Sequence, residues 1–190
     1  MGVSHLSPVQ ASNRCVFFDR DGVINRSPGE GYVLSPADFF LADGIGGLLN
    51  WLHSRGWLAI IVSSQRCVGK GLIDLSMLAS IHASMQQDLQ DRHGSSFDAI
   101  YAFTGLPETD SWSKPRPGMI DQACKDHLID PSQSFMVGDQ DRDIEMAKKA
   151  NIGRTIRILD PEENRSKLIS ADESVVSIDD MIDLLKGIIQ

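Results

Sequence analysis

Two carboxylates, Asp19 and Asp21, close the apolar run Val16-Phe17-Phe18, with Arg20 between them and Gly22 directly after. A short apolar run bounded by a turn signal reads as a strand buried in a parallel sheet. The carboxyl end of such a strand is where open α/β sheets place their ligands. Acids are costly to bury, and a metal cation or a reacting phosphate at that strand end would justify the cost. Three later segments carry matching groups. Ile60-Ile61-Val62 runs into Ser63-Ser64-Gln65-Arg66, Lys114 lies ahead of two prolines in Trp112-Ser113-Lys114-Pro115-Arg116-Pro117-Gly118, and Phe135-Met136-Val137 runs into Gly138-Asp139-Gln140-Asp141-Arg142-Asp143. In chain order these are D-x-D, a hydroxyl, a lysine and G-D-x-x-x-D, each beside a strand end or in a loop.

The pattern between these segments alternates strand and helix, which predicts a parallel sheet wrapped by helices. Ile45 to Ser54 has the spacing of a helix closed by Gly56, and Trp57–Val62 that of the next strand. Leu72–Arg92 reads as the longest helix, its apolar stripe formed by Leu75, Leu78, Ile81, Met85 and Leu89 and its end marked by Gly94. A strand over 97–103, a loop over 104–113, a helix over 117–127 and a strand over 134–137 follow, then a helix over 141–150, a strand over 154–159 and a closing amphipathic helix over 177–189. Pro117 suits a first helical turn, and Asp141 reads as a helix cap rather than a ligand. In an extended strand Asp19 and Asp21 point the same way and Arg20 elsewhere, which leaves Arg20 without a catalytic role. Trp51, Trp57 and the Met and Leu residues of the long helix are assigned to the core. No repeat, low-complexity tract or dividing linker interrupts the chain, so residues 1–190 are read as one domain.

With 190 residues the chain is long enough to bury a substantial core. Its 42% hydrophobic and 23% charged content fit a soluble globular protein. The net charge of −8 argues against non-specific binding to nucleic acid or anionic membrane. It leaves room for an anionic substrate, because a cation and a lysine reverse the local field inside a cleft. Met1–Asn13 lacks the basic start and apolar core of a signal peptide, and no run is long enough to span a bilayer; a cytoplasmic, monomeric protein is expected. Cys15, Cys67 and Cys124 are odd in number and show no C-x-x-C spacing, so no disulfide framework or Cys-rich zinc site is indicated. Cys15 and Cys124 read as buried apolar residues and Cys67 as a loop residue open to solvent.

The four motifs in this order resemble the haloacid dehalogenase superfamily of phosphotransferases, over about Val16 to Ile158. Three local matches resemble its small, capless branch of heptose-bisphosphate and histidinol-phosphate phosphatases: F-D-R-D-G-V-I-N, Gly31-Tyr32-Val33, and K-P-R-P-G-M from Lys114 to Met119. The resemblance implies a doubly wound, Rossmann-like three-layer α/β sandwich without a large cap. The interval Asn25 to Asp43 is too short for a folded cap, and the long helix and third strand use up the interval between the second and third motifs. It also implies a Mg²⁺-dependent phosphomonoesterase whose partner is a small phosphorylated metabolite. The leading substrate is D-glycero-D-manno-heptose 1,7-bisphosphate, losing its 7-phosphate, and histidinol phosphate is the alternative.

By that resemblance Asp19 is the nucleophile that forms an aspartyl-phosphate. Asp21 is the acid and base, a role that asks for a pKa raised by crowding or burial. Ser63 and Lys114 bind phosphate. Asp19, Asp139 and the main-chain carbonyl of Asp21 hold Mg²⁺. Asp143 either reaches the metal through water, orients Lys114, or is a first-turn carboxylate favoured by the helix dipole. Ser64, Gln65, Arg66, Lys70 and Arg116 are candidate substrate contacts or solvated loop residues. The sequence also departs from the branch. Its second motif, usually T-N-Q-S-G, reads Ser63-Ser64-Gln65-Arg66-Cys67, and Ser113 and Gln140 stand where cations are usual. The loop 105–112 carries neither the Cys nor the His of a zinc site, so no zinc is expected. Arg66 or Arg116 is placed to compensate for the missing cations, and Glu108 with Asp110 would suit the amine of histidinol phosphate. Receiver domains share an acid pair, a hydroxyl and a Lys-Pro step, but their acceptor aspartate stands alone on a middle strand. A non-catalytic binding module is the other alternative.

Overall fold

A computed structural model describes residues 12–29, 31–159 and 169–189. Most of the Met1–Asn13 segment, which is expected not to be a signal peptide, therefore lies outside the described residues. Six parallel strands form one sheet in the order β3-β2-β1-β4-β5-β6: β1 Arg14–Phe18, β2 Trp57–Ser64, β3 Ala99–Phe103, β4 Phe135–Gly138, β5 Arg154–Ile158 and β6 Glu173–Val175. This is the doubly wound order expected, with its switch point between β1 and β4. The helices are α1 Ile45–His53, the single turn α2 Arg66–Gly69, α3 Leu75–His93, α4 Gly118–His127, α5 Asp141–Lys149 and α6 Ile178–Ile188.

The continuous apolar run of β1 is needed because both faces of the sheet are covered. Val16 and Phe18 point to one side, where Ile45, Leu49 and Leu52 of α1, Met85 and Leu89 of α3, and Met181 and Leu185 of α6 bury them. Cys15 and Phe17 point to the other, against Met119, Ile120 and Ala123 of α4 and Met146 and Ala147 of α5. Each large apolar side chain fully removed from water contributes about 1.5–3 kcal/mol, so β1 is anchored from both sides. Its register is tight: Phe18 lies opposite Ile61 of β2 and Val137 of β4, and the Asp19 amide donates to the Val137 carbonyl at 2.9 Å.

Local differences from the expected elements have physical causes. The long helix starts at Leu75, because the Asp74 side chain accepts from the Met77 amide and caps it; Leu75 is then 63% exposed and falls outside the buried stripe. The helix after β4 is preceded by Gln140 at the cap position, not by Asp141. Asp141 instead accepts from the Ile169 amide and pairs with Arg157. Cys67 is fully buried inside α2 rather than exposed in a loop. Cys15 is buried as expected and Cys124 half-buried. Among the described residues between β1 and α1 no folded cap intervenes. Arg26 and Ala42 donate to the Phe40 and Ile24 carbonyls, so the two ends of the short 24–42 segment are paired. No described helix is long and apolar enough to cross a membrane.

Candidate active site

The carboxyl ends of β1 and β4 are neighbours, and the acids that follow them meet. One carboxylate oxygen from each of Asp19, Asp139 and Asp143 lies within 4.8 Å of the others. Asp19 directly follows β1, Asp139 directly follows β4, and Asp143 sits in the first turn of α5. Two glycines make the approach possible. A Cβ on Gly22, whose φ is +89°, would lie 2.9 Å from Cγ of Asp139, and a Cβ on Gly138 would lie 2.8 Å from Cγ of Asp143.

Lys114 enters this cluster from the loop between β3 and α4. Its buried ammonium donates to Oδ1 of Asp19 and to Oδ1 of Asp143, at 2.7 Å each. Burial works to lower the Lys114 pKa, but Asp143 and Asp19 outweigh it and hold the ammonium above its usual value. Asp19 is pushed above the ordinary carboxylate range, first by burial and then by Asp143 and Asp139, with Lys114 opposing. Asp139 is pushed up to about 6 by burial and by Asp143. Three acids against one ammonium leave an excess of negative charge, and Oδ1 of Asp139 is buried without a hydrogen-bond partner. An oxygen-only donor set with an open acceptor and surplus negative charge fits a hard divalent cation such as Mg²⁺.

Asp143 contacts both Lys114 and the start of its own helix. Its Oδ1 orients Lys114, while its Oδ2 accepts from the Gln140 amide at 3.0 Å and closes the start of α5. The carboxylate is fully buried and so has no solvated form.

Asp21 faces a different set of partners. Arg20 does not point away from it. The chain turns immediately after β1, with the Val23, Ile24 and Asn25 amides converging on the Arg20 carbonyl, and the fully buried Arg20 side chain folds onto the Asp21 carboxylate. Nε donates to Oδ1 at 3.1 Å, and Nη2 donates to Oδ1 and Oδ2 at 2.9 Å. Asn25 donates to Oδ1 at 3.0 Å and Gln65 to Oδ2 at 3.1 Å. Asp21 is therefore crowded by donors, not by other acids.

Gln65 is 1% exposed and also donates to the buried Ser63 hydroxyl at 2.7 Å, so it links Ser63 to Asp21 within the site. Ser64 is half-buried at the end of β2. Lys70 is exposed, its ammonium 5.0 Å above the Tyr32 ring. Arg66 and Arg116 hold the 104–113 loop. Arg66 donates to the Leu106 carbonyl at 2.8 Å and lies 3.8 Å from the Glu108 carboxylate, and Arg116 donates to the Glu108 carbonyl at 3.0 Å. Asp110 is occupied within the loop, accepting from the Trp112 amide. The residues missed from sequence are Arg20, Asn25 and His82, whose Nε2 lies 3.3 Å from Nη1 of Arg20.

A HAD-hydrolase-like family model matches residues 111–181, the stretch holding Lys114, Asp139 and Asp143. A D-glycero-beta-D-manno-heptose-1,7-bisphosphate 7-phosphatase from Helicobacter pylori is 31% identical over 176 residues, covering 92% of this chain and 99% of the relative. The chain belongs to the haloacid dehalogenase-like hydrolases. It is an enzyme of the phosphatase class. A D-glycero-alpha-D-manno-heptose-1,7-bisphosphate 7-phosphatase from Burkholderia mallei is 32% identical over 184 residues, covering 92% of this chain and 95% of the relative. Among solved structures, a D,D-heptose 1,7-bisphosphate phosphatase from B. bronchiseptica complexed with magnesium and phosphate superposes with a TM-score of 0.80 at 22% identity, covering 92% of this chain and 98% of the other. A second solved structure, of a HAD-like protein from Mesorhizobium loti, gives 0.78 at 21% identity, covering 95% and 90%. These structural likenesses carry the fold.

Proposed function

We propose that this phosphatase removes the 7-phosphate of D-glycero-D-manno-heptose 1,7-bisphosphate by way of an aspartyl-phosphate on Asp19. The observation that carries the chemistry is the meeting of Asp19, Asp139 and Asp143 around one lysine at the switch point of the sheet. The near full-length match to heptose bisphosphatases supports the substrate. Asp19 attacks phosphorus as its bond to the sugar oxygen breaks, and Asp21 delivers a proton to that oxygen. Water then attacks the aspartyl-phosphate, Asp21 takes its proton, and Asp19 and inorganic phosphate are released. Lys114 holds the nucleophile in line and supplies positive charge to the phosphoryl oxygens, together with the Ser63 hydroxyl. Mg²⁺ would be held by Asp19, Asp139 and the main chain at Asp21, with Asp143 beside it, and would offset the charge of acids and phosphate.

The test is phosphate release with Mg²⁺ across both heptose 1,7-bisphosphate anomers, histidinol phosphate, other sugar phosphates and nucleotides. A dominant kcat/KM for one heptose anomer is the expected result, and the two anomers named among the relatives make that choice a measurement. Preference for histidinol phosphate would overturn the substrate and leave the chemistry standing. Asp19→Asn should abolish turnover with the melting temperature retained, and near wild-type activity would remove Asp19 as nucleophile.

A further inference from the structure

We infer that Arg20 and His82 form a buried brace that positions the Asp21 carboxylate for proton transfer. This rests on Asp21 being the proton donor proposed above. Arg20 is 0% exposed, although a buried guanidinium is costly unless its charge is paired and its N–H groups are used. Its pairing is unusual in being local and remote at once. One edge of the guanidinium grips the carboxylate of the next residue through Nε and Nη2, whereas Nη1 leaves the D-x-D turn and reaches His82 on α3, 62 residues away. The guanidinium carbon also lies 6.0 Å from the centre of the Phe39 ring.

Arg20 can only donate, so Nε2 of His82 must accept, which places the imidazole proton on Nδ1. Burial, and next the charge of Arg20, push His82 down to about 4, so it is the neutral acceptor this contact requires. The plane of a guanidinium fixes the direction of every bond it makes. Tying its far end to a helix that is packed into the core fixes the near end as well. Asp21 is otherwise a partly exposed side chain in a turn, held by Asn25 and Gln65 alone. The brace supplies the rigid support that a transferring carboxyl needs.

The experiment reads leaving-group protonation directly, using a series of substituted aryl phosphates running from phenyl to p-nitrophenyl phosphate. The slope of log kcat/KM against leaving-group acidity is measured for the wild type and for Asp21→Asn, His82→Phe and His82→Gln. A general acid flattens this slope, because poor leaving groups depend on the proton more than good ones. The expected result is a steep slope for Asp21→Asn. For His82→Phe the slope should steepen in the same direction, with about a tenfold loss on phenyl phosphate and little on p-nitrophenyl phosphate. His82→Gln, whose amide oxygen can accept from Arg20, should return towards the wild type. A uniform loss across the series in His82→Phe, or no loss, beside a steepened Asp21→Asn would overturn the brace alone. An unchanged slope in Asp21→Asn would remove the donor role of Asp21, and the brace with it.

Discussion

Lys114 is the one cation described among three clustered acids, two of them buried, and its removal should be felt twice. Breaking a buried pair by deleting one partner costs about 3–5 kcal/mol, because the remaining charges keep their desolvation penalty. Lys114→Met should therefore lose activity and also lower the urea midpoint by that equivalent, while Mg²⁺ restores part of the stability and none of the activity. A variant as stable as wild type without added cation would contradict the pairing. His82 makes a separate prediction in acid. Its folded value of about 4 lies below its ordinary 6.5, so its contribution is complete above pH 6.5 and is lost as the pH falls through 6.5 towards 4. Across that window the wild type should lose on the order of 2 kcal/mol more than His82→Gln, measured by thermal melts at matched pH.

At the scale of elements, the 104–113 loop that carries Lys114 into the site is held by side chains from its two flanks, Arg66 of α2 and Arg116 before α4. The double change Arg66→Ala, Arg116→Ala should speed hydrogen exchange in that loop by about tenfold, equivalent to ~1.4 kcal/mol, and lower kcat through Lys114. Unchanged exchange would place the order of the loop elsewhere. What the sequence discloses follows from the same distinction between local and remote signals. Asp19, Ser63 and Asp139 are legible because each ends a run of apolar residues, and a strand end fixes where its next side chain stands. The core helices are legible from their periodic stripes. β6 has three residues of mixed character, and α2 is a single turn, so neither offers a period to read. Arg66, Arg116 and Gln65 resemble substrate-facing groups in sequence, but the carbonyls, carboxylates and hydroxyl they contact are brought near only by the folded loops. Arg20 reads as a spacer because D-x-D implies an extended strand, whereas β1 ends one residue earlier and the turn sends its side chain inward.

At the scale of the whole molecule, sheet order and electrostatics act together. The order places the acids after β1 and β4 side by side, and the surplus of negative charge there is a cost to folding that a bound cation would offset. Binding that occurs only in the folded state adds about 2.7 kcal/mol at a hundred times its Kd. Mg²⁺ should accordingly raise the melting temperature by about 5–10 °C for a chain of this size, and Asp139→Asn should blunt the rise. EDTA should inactivate the enzyme and Mg²⁺ restore it; indifference of both melting and turnover to chelation would remove the cation from the site.

The contact between Lys114 and Asp19 spans 95 positions of the chain. No contiguous fragment containing only one of them can assemble the charge pattern around the nucleophile, so competence arrives late, with the closing of long loops rather than with the first strands to pair. During refolding, phosphate release would thus act as a clock for the final docking of distant segments, running behind any probe that reports secondary structure.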